Sequence, residues 1–112
     1  MAKNMEISLL YDFYGQLLTE QQAQAVSLYY NDDLSLAEIA DEMGITRQGV
    51  RDSIKRAEKS LLMYEEKLGL FKRFRRTEQS LRRIELLAEH LKDNYDIKIA
   101  DEIIMTAKSL HE

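Results

Sequence analysis

The sequence has no cysteine, no proline and no tryptophan, and only four of its 112 residues are glycine. Without cysteine, the chain forms no disulfide and offers no thiolate for catalysis or zinc binding. Without proline and with so little glycine, it lacks the residues that most often interrupt helices. No stretch approaches the roughly 18 apolar residues of a membrane span, and the first residues lack the apolar run of a signal peptide. We therefore expect a cytoplasmic helical protein without a membrane segment.

Motifs of catalysis and cofactor binding are also missing from the sequence. His90 and His111 stand alone, without neighbouring metal-ligand residues, and there is no glycine-rich phosphate loop. No serine is paired with a histidine, and we interpret the acidic pair Glu65-Glu66 as surface charge. We therefore expect no enzymatic activity, no cofactor, no bound metal and no small-molecule substrate.

The net charge is −4, but the charges are distributed unevenly along the chain. Residues 47–83 contain 12 basic and five acidic residues, whereas the rest of the chain contains four basic and 15 acidic ones. A basic segment between acidic ends can bind phosphates through one face, with an affinity that falls steeply with salt. Because the acidic ends weaken non-specific binding, the pattern indicates a nucleic-acid binder with a limited footprint.

Residues 35–44 have the pattern of a short capped helix. Ser35 and Glu38 have the spacing of a capping box, in which each side chain satisfies a backbone amide of the other residue. Gly44 occupies the position where helices commonly end in a left-handed conformation. Between these ends, the apolar residues fall at helical spacing on one face, namely Leu36, Ile39, Ala40 and Met43.

A second helix is predicted to begin immediately afterwards, with Thr46 as its N-cap. Ile45 is an apolar residue in a polar turn, so we expect it to fill the angle between the two helices. Val50, Ile54 and Ala57 form the inward face of the second helix. This arrangement is typical of a helix-turn-helix, which lays its second helix in the major groove of DNA. The alternative is an ordinary helical hairpin within a bundle.

The outward face of the second helix carries the predicted nucleic-acid-binding residues. Arginine matches the two acceptor atoms of guanine, glutamine pairs with adenine, and recognition helices read bases with their N-terminal residues. The helix N-terminus also attracts a phosphate. The alternative interpretation of these charges is a solvated face. The predicted set is Thr46, Arg47, Gln48, Arg51, Asp52, Lys55 and Arg56.

Apolar spacing predicts further helices before and after this motif. Two helices precede it, the second of them opened by another capping box at Thr19 and Gln22. The recognition helix is longer than a minimal one and ends before Gly69, and two tail helices follow it. The predicted ranges are Met5–Leu18, Thr19–Tyr30, Arg47–Lys67, Leu70–Lys92 and Ile97–Leu110.

The first tail helix combines an apolar seam with a basic face. The residues of the seam are spaced alternately four and three apart, which is typical of a narrow helix–helix contact. They are Leu70, Phe74, Thr77, Leu81, Ile84, Ala88 and Leu91, of which only Thr77 is polar. The last helix adds the apolar residues Ala100, Ile103, Ile104, Ala107 and Leu110. Because this apolar area is large for a short chain, we expect a homodimer formed through the tail, alone or together with the first helix. A basic cluster either grips a phosphate backbone or is solvated: Lys72, Arg73, Arg75, Arg76, Arg82 and Arg83.

The helix-turn-helix residues resemble region 4 of bacterial sigma factors. The matching residues are Leu36-Ala37-Glu38-Ile39-Ala40, Gly44-Ile45-Thr46-Arg47, Val50 and Ala57. In sigma factors this region binds the −35 promoter element, so the resemblance implies DNA binding by residues 18–62. The parts of sigma factors that bind the −10 element and most of the polymerase are missing, so a complete sigma factor is not implied.

Three stretches carry a closer resemblance: residues 10–19 (Leu-Tyr-Asp-Phe-Tyr-Gly-Gln-Leu-Leu-Thr), residues 29–40 and residues 54–58. Through them the chain resembles, over nearly its whole length, the YlxM family of small bacterial helix-turn-helix proteins. The genes of this family, in Gram-positive bacteria, lie beside that of the signal recognition particle GTPase. The resemblance therefore implies an accessory or regulatory role in that protein-targeting pathway.

Together these patterns predict an all-α fold, with a sigma region-4-like helix-turn-helix domain over residues 1–68 and a helical hairpin tail over residues 69–112. The first functional hypothesis is a regulator that binds duplex DNA. The second is an accessory protein that binds the signal recognition particle RNA or GTPase without reading DNA sequence. The third, favoured by the acidic net charge, is a helical dimerisation adaptor without a nucleic-acid partner.

Overall fold

The computed structural model describes residues 3–111, and within that range it contains six α-helices and no β-strand. The predicted all-α fold, with a helix-turn-helix head followed by two tail helices, is confirmed. The chain divides into two compact units between Phe71 and Lys72. The helices are α1 (Met5–Tyr14), α2 (Glu20–Val26), α3 (Leu36–Met43), α4 (Arg47–Leu68), α5 (Leu70–Asp93) and α6 (Ile97–Ser109).

The ends of α1 and α2 differ from the predicted helix ends. α1 ends at Tyr14 and is followed by a 3₁₀ turn, Gly15–Leu17. Leu17, the last residue of this turn, points away from the core and is 56% exposed. α2 gives way to a π-helical segment, Ser27–Asn31. The wider turn of a π-helix changes the direction of successive side chains. Here Tyr29 is buried, while the hydroxyl of Tyr30 donates to Glu58 of α4 at 2.8 Å.

The core of the first unit is built around α4. α1, α2 and α3 all pack against this helix. Val50 and Ile54 belong to a buried cluster with α2 and α3, and Ala57 and Leu61 belong to a second cluster with α1. All four side chains are fully buried, and burying each of the larger ones is worth roughly 1.5–3 kcal/mol.

The junction between α4 and α5 is held by a buried tyrosine. The Tyr14 hydroxyl donates to Oε1 of Glu65 at 2.7 Å and accepts the backbone N–H of Leu70 at 3.0 Å. The same Glu65 oxygen accepts the N–H of Phe71 at 3.1 Å. The first amides of a helix have no intrahelical partner, and Gly69 has no side chain that could cap them. The interpretation of Glu65 as surface charge is therefore wrong, because its carboxylate caps α5.

Two tyrosine hydroxyls of this unit donate to carboxylates, and their pKa values reflect it. Burial, together with the hydrogen bond to Glu65, raises the pKa of Tyr14 above its ordinary value. Burial, together with the hydrogen bond to Glu58, raises the pKa of Tyr30 to about 12. Both phenols therefore remain protonated, and remain hydrogen-bond donors, throughout the neutral pH range.

The second unit consists of α5 from Lys72 onwards and α6. Arg83 of α5 donates to Glu102 of α6 at 2.6 Å, so the two helices run side by side there. The half-buried residues of α5 in this unit are Thr77, Ser80, Ile84, Leu87 and Leu91. Within the single chain, Leu81 and Ile104 are 44% and 50% exposed, because two helices cover only one side of each other, so their predicted burial is not reached inside this unit.

We expect the substitution Tyr14→Phe to lower the free energy of unfolding by about 1–3 kcal/mol, because it removes the hydroxyl that accepts the Leu70 amide and donates to Glu65. Urea unfolding followed by circular dichroism measures the change. Tyr64→Phe is the matched control, because its hydroxyl makes only a long hydrogen bond of 3.4 Å to the Leu17 carbonyl. Equal losses in both variants would contradict the proposed capping role of Tyr14.

Candidate nucleic-acid interface

The turn between α3 and α4 has the geometry that the sequence predicted. Ser35 and Glu38 form a complete capping box at the start of α3. Gly44 ends that helix in the left-handed region, with φ +68° and ψ +33°. The amides of Gly44 and Ile45 both donate to the Ala40 carbonyl, the latter at 3.1 Å. The Ile45 side chain packs against the buried cluster of α2, α3 and α4, so it fills the angle between the helices as expected.

Thr46 caps the recognition helix α4. Its backbone is extended and its Oγ1 accepts the N–H of Gly49 at 2.9 Å. A Cβ atom at Gly49 would lie 3.1 Å from that hydroxyl oxygen, which is a tight contact. The absence of a side chain at residue 49 therefore leaves room for the cap.

α4 separates an apolar face from a polar one along its first three turns. Val50, Ile54 and Ala57 are fully buried and point into the unit. The predicted residues all lie on the solvent side of the same helix or at its cap. Each of them is exposed: Thr46, Arg47, Gln48, Arg51, Asp52, Lys55 and Arg56.

Two of the predicted residues are joined by a hydrogen bond. Nε2 of Gln48 donates to Oδ1 of Asp52, one helical turn further on, at 2.9 Å. This bond leaves the amide oxygen of Gln48 and the second carboxylate oxygen of Asp52 available to a ligand. Both residues were expected on this face from the sequence, but their pairing was not.

The exposed face is electropositive overall. Four cations, Arg47, Arg51, Lys55 and Arg56, accompany the single carboxylate of Asp52. Within residues 3–111, none of these four cations forms an ion pair. A helix with uncompensated cations near its N-terminus attracts phosphate groups through both its side chains and its free amides.

One supporting contact was not predicted from the sequence. Ser53 is buried in the middle of α4, and its hydroxyl accepts a hydrogen bond from Nε2 of Gln21 at 3.0 Å. This bond joins α2 to the recognition helix behind its exposed face. The only sign of this hydrogen bond in the sequence is a serine among the inward-facing residues of α4, and that sign does not identify Gln21 as its partner.

The described part of the chain offers neither a metal cluster nor a membrane span. No group of three or more histidine, aspartate or glutamate side chains there is placed to hold a metal ion. None of the helices within residues 3–111 is long and apolar enough to cross a membrane.

A capped two-helix unit with a left-handed glycine turn, supported by α1 and α2, defines a helix-turn-helix protein. A family profile described as "UPF0122: Putative helix-turn-helix protein, YlxM / p13 like" matches residues 1–106. The chain belongs to this family. It is similar to a UPF0122 protein of Desulforamulus reducens, with 46% identity over 110 residues that cover 98% of this chain and 91% of that protein.

Other relatives have the same family name and similar coverage. A UPF0122 protein of Thermoanaerobacter sp. is 44% identical over 109 residues, which cover 94% of this chain and 93% of the relative. A UPF0122 protein of Listeria monocytogenes is 44% identical over 102 residues, which cover 90% and 91%. The resemblance to the YlxM family that the sequence suggested is thereby confirmed.

We expect Gly44→Ala to destabilise the protein by about 1–2 kcal/mol, because a left-handed backbone brings Cβ too close to the following carbonyl. No neighbouring atom lies within 4 Å of a Cβ at this position, so the cost is conformational and not a clash. Gly44→Asn serves as the control, because asparagine tolerates this conformation and should lose less. Thermal unfolding measures both changes, and an equal loss in the two variants would contradict the conformational explanation.

Proposed function

We propose that this protein is a non-enzymatic regulator that binds duplex DNA in the cytoplasm and inserts the first half of α4 into the major groove. The observation that carries the proposal is the exposed, cation-rich face of α4 between Thr46 and Arg56, backed by a fully buried apolar face. An α-helix with its side chains is about 10–12 Å wide, and the major groove is about 12 Å wide.

The residues of this face divide into two groups by chemistry and position. Arg47, Gln48 and Arg51 lie in the first turns of α4 and present the donors that read guanine and adenine edges. Asp52 orients Gln48 through their hydrogen bond and can itself accept a hydrogen bond from a cytosine amino group.

The other group holds the DNA backbone. The Thr46 hydroxyl and the first amides of α4 face a phosphate at the helix N-terminus. Lys55 and Arg56 lie farther along the helix, where the groove turns away and the phosphates approach. These contacts supply affinity and register, and they make binding depend on salt concentration.

The proposed regulator acts as a homodimer. Two recognition helices related by a two-fold axis would bind half-sites about one duplex turn, or roughly 34 Å, apart. The support for two copies is the apolar surface that the tail leaves exposed, including Leu81 and Ile104.

We expect Arg51→Ala to relax specificity at one base position and to cost roughly 1–3 kcal/mol of binding free energy. The measurement is selection of bound duplexes from a random DNA pool at physiological salt, followed by titration of the recovered motif. Lys55→Ala is the control, because loss of a phosphate contact should weaken all sequences about equally and reduce the salt slope by about one. Uniform weakening by Arg51→Ala, or no enriched motif for the wild-type protein, would overturn the assignment.

The second candidate function is an accessory role at the signal recognition particle, through its RNA or its GTPase. The supporting observation is the basic cluster of α5, whose six members are all exposed. Under this alternative, Arg76→Glu with Arg82→Glu should abolish binding to the particle, whereas Arg51→Ala should leave it intact. Binding assays with purified particle RNA and GTPase make the comparison. Particle binding that survives the charge reversal would exclude this role for the cluster.

A further inference from the structure

The unit that begins at Lys72 buries none of its described residues. From Lys72 to His111 every residue is exposed or only half-buried, although α5 and α6 both carry apolar faces. Helices in proteins gain most of their stability from burial of an apolar face. An apolar surface left exposed in this way is typical of a contact site for a partner.

The seam predicted for α5 is divided into two lines of residues. Thr77, Ile84 and Leu91 are half-buried within the unit, whereas Leu81 and Ala88 are exposed. Phe74, seven residues before Leu81, is 49% exposed. Residues seven apart on an α-helix drift by only about 20° per repeat, so Phe74, Leu81 and Ala88 form one nearly straight exposed line.

We propose that this line binds α5 of a second copy of the chain, with the two helices antiparallel and Leu81 of each copy on the two-fold axis. The inference rests on the homodimer of the proposed function and names its contact surface, but it does not depend on DNA reading. The paired region from Phe74 to Ala88 spans about 21 Å at 1.5 Å per residue.

The sizes of the side chains favour the antiparallel direction. With Leu81 at the centre, Phe74 of one copy lies opposite Ala88 of the other at both ends of the pair. A large side chain opposite a small one fills the space between two helices evenly. In a parallel pair, by contrast, phenylalanine would meet phenylalanine and alanine would meet alanine, which leaves a gap at one end.

The charges favour the same direction. Arg73 and Arg75 flank Phe74 on the helix, whereas Glu85 and Glu89 flank Ala88. Antiparallel pairing about Leu81 brings the Phe74 end of one copy beside the Ala88 end of the other, whereas parallel pairing would place these arginines against arginines. Complementary charges beside an apolar contact set the direction in which helices pair.

Because the chain has no cysteine, single cysteine substitutions report this contact directly. We expect Leu81→Cys to form a disulfide-linked dimer under mild oxidation, because residues on the two-fold axis come within the short Cα separation that a disulfide needs. Gln79→Cys is the matched control, since this exposed residue lies on the opposite side of α5. Equal cross-linking of both variants would indicate random collision and would overturn the proposal.

Direction is tested by mixing two variants. In an antiparallel pair, Phe74→Cys should cross-link with Ala88→Cys in the mixture and should cross-link poorly with itself. Self-cross-linking of Phe74→Cys, without mixed dimers, would show a parallel pair and would overturn the proposed direction.

Sedimentation equilibrium of the intact protein, without DNA, completes the test. The wild-type chain should have the mass of two copies, and Leu81→Asp should raise the dissociation constant roughly tenfold or more, because it places a charge in an apolar contact. Circular dichroism should show unchanged helix content, since Leu81 is already 44% exposed within one chain. A monomeric wild-type protein would overturn this inference, whereas failure of the DNA selection alone would overturn only the reading of DNA.

Discussion

The first unit depends on one buried line of side chains along α4. Val50, Ile54, Ala57 and Leu61 are fully buried, and α1, α2 and α3 pack against the helix that carries them. Because these residues fix the rotation of α4 about its axis, they also decide which residues point outward. The exposed face between Thr46 and Arg56 is thus a consequence of how the core is packed.

Polar contacts fix α4 at both ends. At its start, the Thr46 hydroxyl and the left-handed Gly44 define where the helix begins. At its end, Glu65 accepts hydrogen bonds from Tyr14 and from the first turn of α5. Ser53 adds a contact to Gln21 in between. A binding surface on a helix held in this way is presented with little conformational freedom, which lowers the entropic cost of binding.

The two units differ in how much of their apolar surface they bury. The unit that ends at Phe71 has a core of its own, whereas the described residues from Lys72 onwards include no buried side chain. The proposed functions use this difference, because a head with its own core can present a rigid recognition surface while an uncovered tail associates with a second copy.

The sequence by itself determined the features that local rules govern. The capping box at Ser35, the cap at Thr46, the left-handed turn at Gly44 and the exposure of the seven predicted residues all follow from short-range patterns, although the binding role of those residues stays a proposal. Tertiary structure alone decided that Glu65 caps α5 together with Tyr14, a partner 51 residues away, and that Ser53 pairs with Gln21, 32 residues away. It also decided that α6 leaves Leu81 uncovered. The physical reason is that periodicity and capping act within one or two helical turns, whereas the choice of partner depends on how the helices pack.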